Sequence, residues 1–167
     1  RSTRKESSAA SDVYKRQGVW RGMQALSGEI ERNIDEELRA EWDISLGWFD
    51  VLASLQRLGG RARPLDVAAD LRLPPSSVSR RLDRLQEEGW VARHKYVDEH
   101  DHRAVDVELT KTGRRLWREM SVTYRRALQA LFAIHLSAED IADMQRILDQ
   151  LVVAGQEFEE TPATDDT

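Results

Sequence analysis

Pro64-Leu-Asp-Val-Ala-Ala-Asp-Leu-Arg-Leu-Pro-Pro-Ser-Ser-Val-Ser-Arg-Arg-Leu-Asp-Arg-Leu85 holds two short helical patterns separated by a tight break. In the first, about Pro64–Leu71, Leu65, Val67, Ala68 and Leu71 fall on one side, and Pro64 suits a helix start. In the second, about Pro75–Glu88, Val78, Leu82 and Leu85 share a side, and Gly89 is a stop. Leu73 sits in the turn. A small residue such as Ala68 lets two helices cross closely, and the apolar positions then lock their angle. The far side of the second helix carries Ser76, Ser77, Ser79, Arg80 and Arg84.

Upstream, Ser45 is placed to cap a helix carrying Trp48, Val51, Leu52 and Leu55, which Gly59-Gly60 ends. Downstream, the period changes to that of strands. Trp90–Val97 and Ala104–Leu109 are short β-prone runs joined by the polar segment Asp98–Arg103, which predicts a hairpin. Helix, short helix, helix and hairpin over about 45–110 is the order of a winged helix-turn-helix. The fold class expected is mainly α with a small β-hairpin wing.

Two long helices flank this module. Trp20, Met23, Leu26, Ile30, Ile34, Leu38 and Trp42 recur at three and four, which predicts an amphipathic helix over about 18–42. Thr110 is placed to cap another, Lys111 to about His135, and Ser137-Ala-Glu-Asp140 has the form of a capping box opening the last. In that last helix Ile141, Met144, Leu148, Leu151, Gly155 and Phe158 follow heptad spacing. The stripe is either an ordinary core face or a contact with a second subunit. Long helices at about 18–42 and 111–159 leave little core of their own to cover. That favours a homodimer through Leu26, Ile30, Ile141, Met144, Leu148 and Leu151. Residues 1–17 are polar and Ser-rich and read as a disordered arm. Ser11-Asp-Val-Tyr-Lys-Arg-Gln17 looks like translated adapter sequence, so the domain is expected over 18–160, with an acidic tail at 161–167.

Composition narrows the function. The 167 residues are 40% apolar with no run near the roughly 18 apolar residues of a membrane span. There is no Cys, hence no disulfide, thiol switch or Cys-ligated metal. The formal charge is −5, which alone speaks mildly against nucleic acid. Its distribution speaks otherwise: residues 57–118 hold 14 basic and 10 acidic side chains, while residues 119–167 hold 3 and 10. A basic centre lies between acidic flanks. Hydroxyls reach bases or phosphates, an Arg pairs with guanine O6 and N7, and a helix N-terminus favours phosphate.

Both the helix-turn-helix quoted above with Glu88-Gly-Trp-Val-Ala-Arg93 and the segment Asp101-His-Arg-Ala-Val-Asp-Val-Glu-Leu-Thr-Lys-Thr-Gly113 are present at the expected separation. With them, residues 20–158 resemble the multiple-antibiotic-resistance regulator (MarR) family, whose wing pattern is Asp-x-Arg followed by Leu-Thr-x-x-Gly. The resemblance implies a cytoplasmic, homodimeric, sequence-specific binder of double-stranded DNA. It would act as a repressor at a near-palindromic operator and be released by a small aromatic or phenolic effector. It implies that Arg103 either enters the minor groove or braces the wing through Asp101, and that Arg93 and Lys95 contact phosphate. Trp42, Trp48 and Trp117 would line the effector pocket; the alternative is that they are core. The chain departs from the family pattern at four places. Arg72 stands where Gly is usual, Pro74 where a capping Ser is common, and His102 replaces a second wing arginine. Arg81 takes a usually apolar position, where it adds a phosphate contact.

Other chemistries find no support. His94, His100 and His102 with nearby acids read as a solvated turn, so no metal and no cofactor is expected. No phosphate loop, zinc-protease helix or nucleophile elbow occurs, and nothing marks an enzyme. The competing class is a winged-helix protein-interaction module that never meets DNA.

Overall fold

The computed structural model describes the backbone of residues 3–95 and 105–160, and the side chains of residues 13–95 and 105–154. The chain runs α1 (Thr3–Trp42), α2 (Leu46–Arg57), β1 (Arg61–Ala62), α3 (Pro64–Leu71), α4 (Pro75–Glu87), β2 (Val91–Lys95), β3 (Val105–Leu109) and α5 (Lys111–Leu131). A 3-10 turn at Ala133–His135 and α6 (Ala138–Glu160) follow. Two compact units result, Arg1–Leu128 and Gln129–Thr167.

The core of the first unit is the one the apolar spacing predicts. Val51, Leu52 and Leu55 of α2 meet Val67 and Ala68 of α3, and Val78, Leu82 and Leu85 of α4. Val91, Val107 and Leu109 of the sheet close it, with Trp48, Trp90 and Trp117 packed at its edge. Leu65 is the exception among the apolar positions of the short helix: it is 65% exposed. Its place at N2 of an eight-residue helix puts it on the turn that reaches beyond the α2 contact.

Three helices end in one hydrogen-bond pattern. Gly60 and Gly59 donate to the Leu55 and Gln56 carbonyls, Trp90 and Gly89 to those of Leu85 and Gln86, and Leu73 and Arg72 to those of Ala68 and Ala69. This crossed pair is the Schellman end, which needs a left-handed residue. Gly59 and Gly89 supply it for α2 and α4 (φ 88° and 71°), whereas α3 uses Arg72 (φ 52°, ψ 41°). An L-residue there costs about 1–2 kcal/mol.

Helix starts are less uniform. Thr110 Oγ1 accepts from the Gly113 N–H at 3.0 Å and donates to the Gly89 carbonyl at 2.8 Å, joining α5 to the end of α4. Gly113 is required at this junction, because a Cβ would collide with the Trp90 carbonyl. Ser137 and Asp140 form the expected box: the Ser137 N–H and hydroxyl donate to the carboxylate, and the Asp140 N–H donates back. Ser45 is the N-cap of α2 but makes no side-chain cap bond. Asp35 of α1 caps it instead, accepting from the Leu46 N–H at 2.7 Å.

The structure revises four expectations. In place of a disordered arm over residues 1–17, α1 begins at Thr3. Extending a formed helix adds one bond per residue with no new nucleus, and Ala, Lys, Arg and Glu permit it. The hairpin is the larger part of a three-stranded antiparallel sheet in the order β1-β3-β2, because Arg61 and Ala62 pair with Glu108 and Val107. Two residues are too few to show a strand period. α5 ends at Leu131 and not His135, since Phe132 leaves helical backbone (φ −130°, ψ −64°). The predicted stripe on α1 divides: Ile34 and Leu38 are buried, while Trp20, Met23 and Leu26 are exposed. The acidic tail lies outside the described residues.

Candidate nucleic-acid interface

The geometry of α4 separates its residues by duty. Val78, Leu82 and Leu85 are fully buried, and Ser76, Ser79 and Arg80 lie exposed on the outer side, with Ser77 half-buried. Burial of one face anchors the helix, so the outer face is presented by the core rather than by a flexible loop. Because Pro74 and Pro75 begin the helix, the first turn is preset by their fixed φ and has no side-chain cap.

The predicted cations differ in availability. Arg80 has no carboxylate within ion-pair distance among the described residues. Arg84 is exposed but pairs with Glu87 at 2.9 Å, and Arg93 pairs with Asp83 at 2.6 Å. Lys95 is exposed at the end of β2. Asp101, His102 and Arg103 lie outside the described residues. Elsewhere in the module further cations are paired: Arg57 holds Asp70 at 2.6 Å, Arg61 holds Asp106 at 2.8 Å, and Arg114 and His94 meet Glu108. Exposed pairs of this kind contribute little stability, but they reduce the charge facing outward.

Arg81, an expected phosphate contact, is half-buried. Its Nη1 donates to the Gly47 carbonyl at 3.1 Å, and its guanidinium lies so close to Gly47 that a Cβ there would touch it. Arg81 follows Val78 by three residues and so borders the buried stripe, which is the signal in the sequence that it turns inward. There it faces Asp50. Burial pushes the Asp50 carboxyl up to about 6, against the pull of Arg81 and with a further push from Glu31.

Beside this pair lies a cavity of about 780 Å³ whose walls include Ile30, Ile34, Asp50, Leu71, Arg81 and Tyr124. The three tryptophans expected around a pocket do not converge on it. Trp42 Nε1 donates to Thr123 at 3.0 Å, where Thr123 and Arg126 also hold Glu41. Trp48 stacks edge-on against Trp90, with ring centres 5.9 Å apart. Trp117 packs on the core and borders a separate hollow with Phe49 and Tyr124. Tyr124, stacked on Phe49 at 4.9 Å, has no distinguishing spacing in the sequence. The stripe residues stand open: Leu26 is 45% exposed, and in the second unit Ile141, Leu148 and Leu151 are exposed with Met144 half-covered.

A trihelical core whose third helix presents hydroxyls and a guanidinium unpaired among the described residues, followed by an antiparallel sheet, defines a winged helix-turn-helix DNA-binding protein. The MarR family model matches residues 42–104. The transcriptional regulator PecS of Dickeya dadantii is 34% identical over 86 residues, half of this chain and half of PecS. The transcriptional repressor MdtR of Bacillus subtilis is 26% identical over 80% of this chain and 83% of its own. The structure of a MarR mutant from E. coli complexed with operator DNA superposes with a TM-score of 0.69. It is 26% identical, covering 80% of this chain and 93% of that one. Residues 42–104 match the MarR family, and the chain as a whole is similar to MarR-family regulators. It is a DNA-binding transcriptional regulator and not an enzyme. No described helix is long and apolar enough to cross a membrane.

Proposed function

We propose that the chain acts in the cytoplasm as a homodimeric repressor. Each subunit reads one half of a near-palindromic operator, with α4 in the major groove. The observation that carries this reading is the outer face of α4, where Ser76, Ser79 and Arg80 are exposed and Arg80 is free of any acid among the described residues. Arg80 is suited to a guanine, the serines to bases or phosphates, and Arg84, Arg93 and Lys95 to the backbone. Arg103, with Asp101 as its brace, and His102 complete the set of DNA contacts in this reading. The second copy covers the exposed Leu26 of α1 and Ile141, Leu148 and Leu151 of α6, together with the half-buried Ile30 and Met144. A small aromatic or phenolic effector occupies the 780 Å³ cavity, whose size suits such a ligand, and relieves repression through Arg81, which joins the cavity wall to α4.

The test is selection of bound duplexes from a random DNA pool by the full chain. A near-palindrome with half-sites about one helical turn apart is the expected product. Recovery of no common sequence, or of single half-sites only, would remove the dimeric operator reading.

A further inference from the structure

The turn between α3 and α4 holds a cation that the fold does not use. Arg72 occupies the left-handed position for which α2 and α4 employ Gly59 and Gly89. Every hydrogen bond of that turn is made by backbone atoms, so glycine would serve the fold and relieve the strain. Leu71 and Leu73 on either side line the cavity, whereas Arg72 is exposed and has no carboxylate partner among the described residues.

The next helix has lost what Arg72 can provide. A helix N-terminus usually grips phosphate through several unpaired N–H groups. In α4 the N-cap and first helical residues are Pro74 and Pro75, which have none. The Ser77 N–H is taken by the Pro74 carbonyl at 2.9 Å. Among the described residues of that first turn, Ser76 N–H alone stays without an acceptor.

We propose that Arg72 binds a DNA backbone phosphate beside the start of α4, supplying the donors that Pro74 and Pro75 remove. This rests on α4 being the helix that faces DNA. A guanidinium gives charge-assisted, bidentate bonds to phosphate, and such a contact adds affinity and salt dependence without reading sequence. The strained backbone is retained for the sake of that contact.

The experiment is an anisotropy titration of the full chain on two labelled duplexes, one recovered by selection and one of scrambled sequence, over a series of salt concentrations. Thermal melts of the same proteins accompany it. Arg72→Gly is expected to melt higher than wild type and to bind both duplexes about 3- to 10-fold more weakly. Its plot of log affinity against log salt should flatten by about 0.9 per bound subunit. Arg72→Lys should keep the wild-type slope. An Arg72→Gly protein with wild-type affinity and slope would overturn the proposal, as would weaker binding with an unchanged slope, which signals a looser turn. A wild-type protein that binds neither duplex would instead overturn the assignment of α4.

Discussion

Arg80 and Arg81 are neighbours in the chain with different surroundings, because successive residues on a helix point about 100° apart. Among the described residues Arg80 has no partner and reaches solvent, while Arg81 is tied to Gly47. Arg80→Ala is expected to weaken operator binding by about 1–3 kcal/mol while leaving melting temperature and subunit association unchanged. Arg81→Ala is expected to lower the melting temperature and keep the salt slope. Gel shifts at matched salt with parallel melts separate the two, and an unaltered affinity for Arg80→Ala would remove it from the interface. Asp50 makes a prediction of opposite kind. Its carboxyl is raised by burial from 3.8 to about 6, so the folded state binds this proton more tightly than the unfolded one. Its contribution to stability therefore falls as pH rises from about 4 to 6. Asp50→Asn should be more stable than wild type at pH 7 by roughly 1–2 kcal/mol, allowing for solvent screening, and the difference should shrink by pH 4. Melts of both proteins across that range give the answer, and a difference independent of pH would rule out this titration.

At the scale of elements, local chemistry was legible and long-range chemistry was not. The ends of α2 and α4 follow from Gly59 and Gly89, and the start of α6 from Ser137 and Asp140, because each device closes within a few residues. The start of α2 falls at Ser45 as its type predicts, but its capping bond is long-range. Ser45 has the right type at the right place, yet Asp35, on a different helix, makes the bond. The carboxyl of Asp35 is pushed up by burial, but its bonds to Arg39 and the Leu46 N–H outweigh this and hold it below the usual range. Strand β1 leaves no mark in the sequence because its two residues carry no alternation. The α6 stripe was read from its spacing, and among the described residues Ile141, Leu148 and Leu151 are exposed. A charge in that stripe, Leu148→Asp or Leu151→Asp, is expected to weaken self-association by about 2 kcal/mol or more. Sedimentation velocity then shows monomers at concentrations where wild type is dimeric; a variant that stays dimeric would remove the stripe from the interface.

For the molecule as a whole, the charge of −5 conceals a division of labour. The excess of basic side chains over 57–118 lies in the module that carries the helix-turn-helix, while the acidic excess lies beyond it. Yet a count of arginines overstates the attraction to DNA, since Arg57, Arg61, Arg84, Arg93 and Arg114 are each held by an acid. Periodicity, turn residues and caps were enough to establish the winged helix-turn-helix, its core and the identity of its exposed helix face. These are consequences of near neighbours and of which side of an element is apolar. Packing alone decided which arginines remain free, that Arg81 turns inward toward Gly47 and Asp50, and that the tryptophans occupy separate places. Such choices depend on atoms far apart in the chain that meet only when the elements pack, and a side chain's partners cannot be read before that meeting.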